Sequence, residues 1–381
     1  MIYFDNAATT FPKPPAVVQA VREALVRYGA NPGRSGHDLS MQTAQKIYEC
    51  REKLATLFCC QSEQIVFTKN CTESVNIAIK GMLHPGDHLI ISDLEHNAVY
   101  RVAEALRRAG LITYDVAAVT ASDEQTVLNF ERLIRPNTRM IACTHASNVF
   151  GFRLPVEKIG AMAHRRGLLM VVDAAQTAGL LTIDLSRMHI DYLCMPGHKG
   201  LYGPAGTGVL IVNNSLLPQS LCQGGTGSLS MEPEMPDFLP DRLESGTINT
   251  SGIIGLGAGV DFVLKNTPER LYRHEMQLCS ALYNGLRSIR GVVLYSNPPQ
   301  LGRNLPVVAM NYVGLNPERA AELLNQHHIA VRAGFHCAAL AHRKMGTDRE
   351  GTVRMSLGAF NSMDEVRTVC KVSERIARIR R

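Results

Sequence analysis

The sequence predicts an α/β protein built on a mostly parallel sheet, with a smaller α+β unit following it. Short apolar runs alternate with amphipathic stretches over the front two-thirds of the chain, and from about Gly252 this pattern gives way to long helices. Strands alternating with helices at such spacing build a sheet covered on both faces. The length, 381 residues, exceeds one small core and fits two units.

The elements follow in order. Residues 64–68, 88–92, 140–143 and 168–172 are apolar runs of strand length and read as buried strands. Another run, Tyr192 to Met195, leads into a glycine-rich stretch from Gly197 to Gly208. Between the strands, Ala98 to Arg108 and Pro155 to Arg165 carry helical periodicity. Ile253 to Lys265 and Glu269 to Arg287 predict longer helices. Short strands are expected near 291–295, 307–311 and 330–331, with a last helix from about Met363. We assign 15–255 to a large unit, and 1–14 with 256–381 to a small one.

Composition excludes several classes. Hydrophobic residues make up 45% and charged residues 19%, which is ordinary for a folded chain. The net charge of +6 is mild and forms no basic patch interleaved with aromatics, so no nucleic-acid partner is expected. The basic tail Arg375 to Arg381 reads as the solvated end of a helix. No apolar run reaches the roughly 18 residues of a membrane span, and Met1 to Asn6 lacks the regions of a signal peptide. Ten cysteines occur without any Cys-x-x-Cys pair. The expectation is a cytoplasmic protein with free thiols, away from membranes. No metal centre is expected, because His336, Cys337 and His342 lack a closed ligand set.

In open α/β sheets ligands bind beyond the carboxyl ends of the strands, so the residues just after each strand carry the information. After Phe67 and Thr68 comes a helix start near Cys71 and Thr72, which suits a phosphate but also reads as an ordinary cap. After Ser92 comes His96, after Cys143 come His145 and Asn148, and after Val172 comes Asp173 followed by Gln176. An aspartate at the edge of a core needs a partner, either a protonated ring nitrogen or a helix cap. After Met195 come His198 and Lys199 between glycines. That lysine is either solvated or a desolvated amine able to form a Schiff base.

Taken together, these motifs resemble the cysteine desulfurases and selenocysteine lyases of the class V aminotransferase group, whose fold is the pyridoxal-phosphate (PLP) fold type I. The resemblance runs from Asp5-Asn6-Ala7-Ala8-Thr9-Thr10 to Arg354. It rests on Glu95-His96-Asn97, Ser147-Asn148-Val149-Phe150-Gly151, Asp173-Ala174-Ala175-Gln176, Gly197-His198-Lys199, Glu244-Ser245-Gly246-Thr247-Ile248-Asn249-Thr250 and Arg332-Ala333-Gly334-Phe335-His336-Cys337-Ala338.

The resemblance implies a seven-stranded, mostly parallel large-domain sheet and a small C-terminal domain that carries an acceptor-cysteine loop. It implies pyridoxal 5'-phosphate bound covalently by Lys199, with Asp173 on the ring nitrogen and His96 on the ring face. Asn148 and Gln176 would lie beside the phenolic oxygen. Cys71, through its backbone, Thr72 and His198 would hold the phosphate. Thr247 would reach the neighbouring subunit's cofactor, which implies a homodimer. Arg354, with Asn148, would hold the substrate carboxylate. Lys199 would take the Cα proton of L-cysteine, His96 would shuttle protons, and Cys337 would receive the sulfur as a persulfide for an acceptor protein, leaving alanine. His336 and Arg332 near Cys337 suggest a cationic neighbourhood favouring the thiolate.

Rival readings are a selenocysteine lyase acting on L-selenocysteine, a class V aminotransferase or cysteine lyase in which Cys337 is incidental, and a non-catalytic scaffold. Three positions depart from the family pattern. Pro196 replaces a Ser or Thr phosphate donor, Phe335 stands where His is common, and the loop of Arg34 and His37 differs from the usual version.

Overall fold

The computed structural model describes residues 1–33 and 35–379. Arg34, singled out above, and the last two arginines of the basic tail lie outside the described residues. The chain opens with the short strand β1 (Ile2–Tyr3), then α1 (Pro15–Arg27) and α2 (Asp38–Phe58). Strands and helices then alternate through β2 (Ile65–Thr68), α3 (Cys71–Met82), β3 (His88–Ser92), α4 (Asn97–Arg108), β4 (Thr113–Ala117), α5 (Asp123–Glu131), β5 (Thr138–Thr144), α6 (Val156–Arg165) and β6 (Leu169–Asp173). Two strands follow, β7 (Tyr192–Pro196) and β8 (Gly208–Val212), then α7 (Thr250–Asn266) and α8 (Pro268–Arg287). The remainder comprises β9 (Val292–Leu294), β10 (Val307–Tyr312), α9 (Pro317–Gln326), β11 (Ile329–Ala330), β12 (Arg332–Gly334), α10 (Ala339–Met345), β13 (Thr352–Ser356) and α11 (Met363–Arg378).

Seven strands form one sheet in the order β2-β8-β7-β6-β5-β3-β4. Only β8 runs against its neighbours, pairing antiparallel with β2 and β7. The mostly parallel sheet expected from the sequence is therefore present. Its side chains alternate between two cores with the period of two that strands impose. Ile90, Ile141, Met170 and Leu193 point to the face covered by Leu54, Phe58 and Ile159. Leu89, Ile91, Met140, Val171 and Tyr192 point to the face covered by Val75 and Val99. Burial of each such aliphatic side chain contributes about 1.5–3 kcal/mol, which is why these strands read as near-continuous apolar runs.

The smaller sheet has the order β12-β13-β10-β9 and is antiparallel throughout. Its core joins Val308, Met310, Val353 and Met355 to Leu282 and Leu286 of α8 and Val369 of α11. Strand β1 pairs with β11, which brings the N-terminal segment to this unit. Helix α7 packs on α1 and α2, and its Leu256 and Val260 belong to the core of the large sheet. Among the described residues no helix is long and apolar enough to cross a membrane.

Candidate active site

The carboxyl ends of β2, β3, β5, β6 and β7 supply the predicted residues, and the small unit brings two loops to meet them. Helix α3 begins where the chain leaves β2. Asn70 caps it by accepting from the Glu73 N–H at 2.9 Å, so the first free N–H groups belong to the Cys71 and Thr72 region and face the strand ends. The Cys71 thiol donates to Asp173 Oδ1 at 3.3 Å, and the Ala175 N–H donates to the same oxygen at 2.9 Å. Asp173 closes β6 and is buried. Burial, reinforced by the Asp173 charge, pushes the Cys71 thiol up, so it stays protonated.

Lys199 lies half-buried in the turn after β7. Its amine makes no side-chain hydrogen bond among the described residues. Desolvation lowers its pKa from the ordinary lysine value, and the Asp173 charge works against that shift. Beside it is a narrow cavity of about 40 Å³ whose lining includes Ala7, Gln176 and Tyr202. His198 is held neutral by desolvation, then by the charges of Lys199 and Lys13, with its pKa lowered to about 4.

His96 caps α4. Its Nδ1 accepts from the Ala98 N–H at 3.0 Å, which places the remaining ring proton on Nε2 in the neutral form. Burial lowers its pKa and favours that neutral form.

Arg354, in the middle of β13, is buried with 1% exposure. It donates through Nη1 to the Asn148 carbonyl at 2.9 Å and through Nη2 to Asp5 Oδ1 at 2.7 Å. The Asn148 side chain donates in turn to the His336 carbonyl at 2.8 Å. The Asn97 N–H, one residue past His96, donates to the Cys337 carbonyl at 2.7 Å. Both His336 and Cys337 sit in the left-handed region, with φ of 48° and 56°, a conformation that non-glycine residues adopt rarely and mainly at functional sites. The Cys337 side chain is exposed.

The structure thus brings Lys199, Asp173, Cys71, His96, His198, Asn148, Arg354 and the Cys337 loop to one end of the large sheet. It places Thr247 elsewhere, exposed in the loop before α7. Gln176 donates to the Ala7 carbonyl at 3.1 Å and so also holds the N-terminal segment. His336 is not the cationic neighbour of Cys337 that adjacency suggests. Desolvation, then the Arg354 charge, lowers its pKa to about 2, and its Nε2 pairs with the Thr352 carbonyl at 3.0 Å.

Sequence reasoning gave no role to two participants. Asp5 pairs with Arg354 across 349 positions, and no local pattern announces such a pair. Glu95 is buried and takes the Thr144 N–H at 2.9 Å, tying the end of β3 to β5; desolvation raises its pKa to about 8. A carboxylate three residues past the end of β3, beside His96, was the available signal.

The donor set fits pyridoxal phosphate. A helix N-terminus suits the phosphate, a desolvated amine the aldehyde, and a buried carboxylate the ring nitrogen. Among the described residues, the buried atoms Asn148 Oδ1, His198 Nδ1 and Arg354 Nε have no protein partner, although buried polar atoms are nearly always paired. These three atoms belong to residues assigned to the ring, the phosphate and the substrate carboxylate.

The chain is similar to known proteins over nearly its full length. A probable cysteine desulfurase of Methanothermobacter thermautotrophicus is 34% identical over 386 residues, covering 99% of this chain and 94% of that protein. The apo structure of a cysteine desulfurase from Thermococcus onnurineus superposes with a TM-score of 0.90 at 32% identity, over 99% of this chain and 94% of the other. The cysteine desulfurase CsdA of Escherichia coli gives 0.86 at 27% identity, over 98% and 94%. Residues 2–369 match the aminotransferase class-V family model. Full-length similarity and the convergence of these strand ends lead to one assignment: the chain belongs to the class V aminotransferase family.

Proposed function

We propose that the protein is a pyridoxal-phosphate-dependent cysteine desulfurase that converts L-cysteine to L-alanine and carries the sulfur away as a persulfide on Cys337. The observation that supports this best is the pair of contacts joining the Cys337 loop to the strand ends, from Asn97 to the Cys337 carbonyl and from Asn148 to the His336 carbonyl. A cysteine incidental to the chemistry would not require its loop to be fastened to the residues beside Lys199 and Arg354.

Cysteine's carboxylate would meet Arg354, whose position is fixed by Asp5 and the Asn148 carbonyl. When bound, the cofactor supplies an electron sink that makes the carbon–sulfur bond cleavable. Asp173 would keep the ring nitrogen protonated. Lys199, with its basicity reduced by burial, would take the Cα proton. The Cys337 thiolate then bonds to the substrate sulfur as the Cβ–S bond breaks. The bonding pair stays on carbon, which takes a proton and becomes the methyl group of alanine. His96 offers one N–H, at Nε2, for proton transfer near the leaving sulfur. Thr72 and His198 would hold the phosphate, and Thr247 would serve the partner subunit's site in a homodimer. An acceptor protein would collect the persulfide.

The test is incubation with L-cysteine followed by mass analysis. One added sulfur on the peptide containing Cys337, with alanine released, is the expected result. Cys337→Ala should keep the visible absorbance of the bound cofactor and lose sulfur transfer, whereas Lys199→Ala should lose that absorbance. Full cysteine turnover by Cys337→Ala would refute the desulfurase reading. Turnover of selenocysteine alone, or release of pyruvate with ammonia, would point to the lyase alternatives.

A further inference from the structure

The turn that carries Lys199 is flanked by Gly197 and Gly200, where a Cβ would stand 2.2 Å from Thr207 Oγ1 and 2.4 Å from the Ala178 carbonyl oxygen, and the Lys199 carbonyl accepts from the Tyr202 N–H at 2.8 Å. An amine that must reach one carbon of a bound aldehyde needs that backbone fixed. The peptide between the two glycines is held from the N-terminal segment, at the carbonyl of His198, one residue before the lysine. The Lys13 amine donates to this carbonyl at 2.7 Å. The Thr10 N–H donates to it at 3.2 Å and the Thr9 hydroxyl at 3.1 Å. The Thr10 hydroxyl accepts from Lys13 at 2.8 Å. Its own proton serves either the His198 carbonyl at 3.2 Å or the Lys199 carbonyl at 3.1 Å.

Three donors from outside the turn thus converge on one peptide oxygen, and a fourth lies within reach. Such an oxygen has two lone pairs, so this is an unusual concentration. Among the described residues Lys13 forms no ion pair. Burial without a carboxylate partner lowers its pKa to about 8. A partly desolvated amine without a counter-ion is unfavourable for stability alone, and its closest acceptor is the peptide next to Lys199.

We propose that Lys13, assisted by Thr9 and Thr10, is a positioning residue for Lys199. It clamps the preceding peptide and so sets the direction from which the lysine amine reaches the cofactor aldehyde. This rests on the reading of Lys199 as the cofactor-bearing lysine. Because the clamp comes from the segment that β1 anchors to the small unit, the seating of that segment and the orientation of the lysine are linked.

Apo-protein titrated with pyridoxal phosphate, and separately with pyridoxamine phosphate, tests this. Both ligands share the ring and the phosphate, but only the aldehyde joins covalently to Lys199. Lys13→Met should weaken pyridoxal phosphate binding about tenfold, the loss of one charged hydrogen bond with other donors remaining. Pyridoxamine phosphate should be held within about twofold of wild type. Equal weakening of both ligands would mean that Lys13 serves the phosphate or the general fold, and would overturn the proposal, as would no change in either. Should Lys13→Met fail to fold, Thr9→Val removes another donor from the same carbonyl and should show the same selectivity at a smaller magnitude. Wild-type protein that binds neither ligand would refute the cofactor reading itself, an outcome distinct from failure of the clamp.

Discussion

Gly208 sets the position of the proposed phosphate seat, and a single methyl group there should displace it. This glycine opens β8 and lies opposite Thr68 on one side and Pro196 on the other. A Cβ built on it would stand 2.5 Å from both the carbonyl carbon of Asn70 and Thr68 Oγ1, and 2.7 Å from Asn70 Cα. Carbon atoms rest at about 3.5–4.0 Å, so the turn must retreat by about 1 Å. Two of the three obstructing atoms are backbone, so no rotamer change relieves them. The atom that must move belongs to the cap of α3, directly before Cys71 and Thr72. Gly208→Ala should therefore cost about 1–3 kcal/mol of stability by overpacking. It should also weaken pyridoxal phosphate binding roughly tenfold to a hundredfold, as one phosphate contact is lost. Thermal melting and spectrophotometric titration of the apo-protein measure the two effects. Gly29→Ala is the control, because its Cβ would meet only the Leu25 carbonyl oxygen at 3.9 Å. Undiminished cofactor affinity in Gly208→Ala would show that the Asn70 turn is not the phosphate seat.

Further predictions concern the substrate and the pH response. Arg354→Lys gives up the fork that bonds Asn148 and Asp5 together and should raise KM for cysteine by about tenfold or more, with kcat changed less; steady-state kinetics measure the split. Stability should peak near pH 6.5. Below it, His145, His198 and His336, whose pKa values burial lowers to about 3, 4 and 2, stay neutral in the folded state while the unfolded chain takes up protons, so stability falls as pH drops through 6.5. Above it, Glu95 and Glu275, both raised to about 8 by desolvation, hold protons that the unfolded chain has released, so stability falls as pH rises toward 8. Denaturant midpoints from pH 4.5 to 8.5 read both limbs, and Glu95→Gln should flatten the upper one; a midpoint that rises steadily with pH would contradict this assignment.

How legible the fold was depended on burial. β3, β5, β6 and β7 lie in the interior of the large sheet, so apolar runs marked them to within a residue or two. β4 is an edge strand whose Thr113 and Val116 are exposed, and its mixed sequence gave no such mark. The short run of β8 was hidden at the end of a glycine-rich stretch. The strand-end residues of the site were legible in order, because the chain visits Cys71, His96, Asn148, Asp173 and Lys199 as it winds the sheet. What tethers them was not. The bonds from Arg354 to Asp5, from Lys13 to His198 and from Asn148 to His336 span 349, 185 and 188 positions, and only the folded topology brings these groups together. Adjacency in sequence misled at His336, where burial removes the charge that a neighbour of Cys337 seemed to offer.

The same tethers explain why so exposed a thiol can belong to a buried site. His336 and Cys337 adopt left-handed backbone, a strain of about 1–2 kcal/mol for each residue. Two carbonyl contacts of about 1 kcal/mol apiece offset much of that strain, and both come from residues that flank proposed cofactor or substrate groups. Pinning the loop through its carbonyls leaves the Cys337 side chain exposed, as the proposed transfer of sulfur to an acceptor requires. At the same time it keeps the residue's backbone against Asn97, next to His96. A loop held only by its own packing would not link the thiol to the proposed proton-transferring residue in this way. On the proposed function, these backbone contacts couple an exposed thiol for delivery to a fixed position for attack.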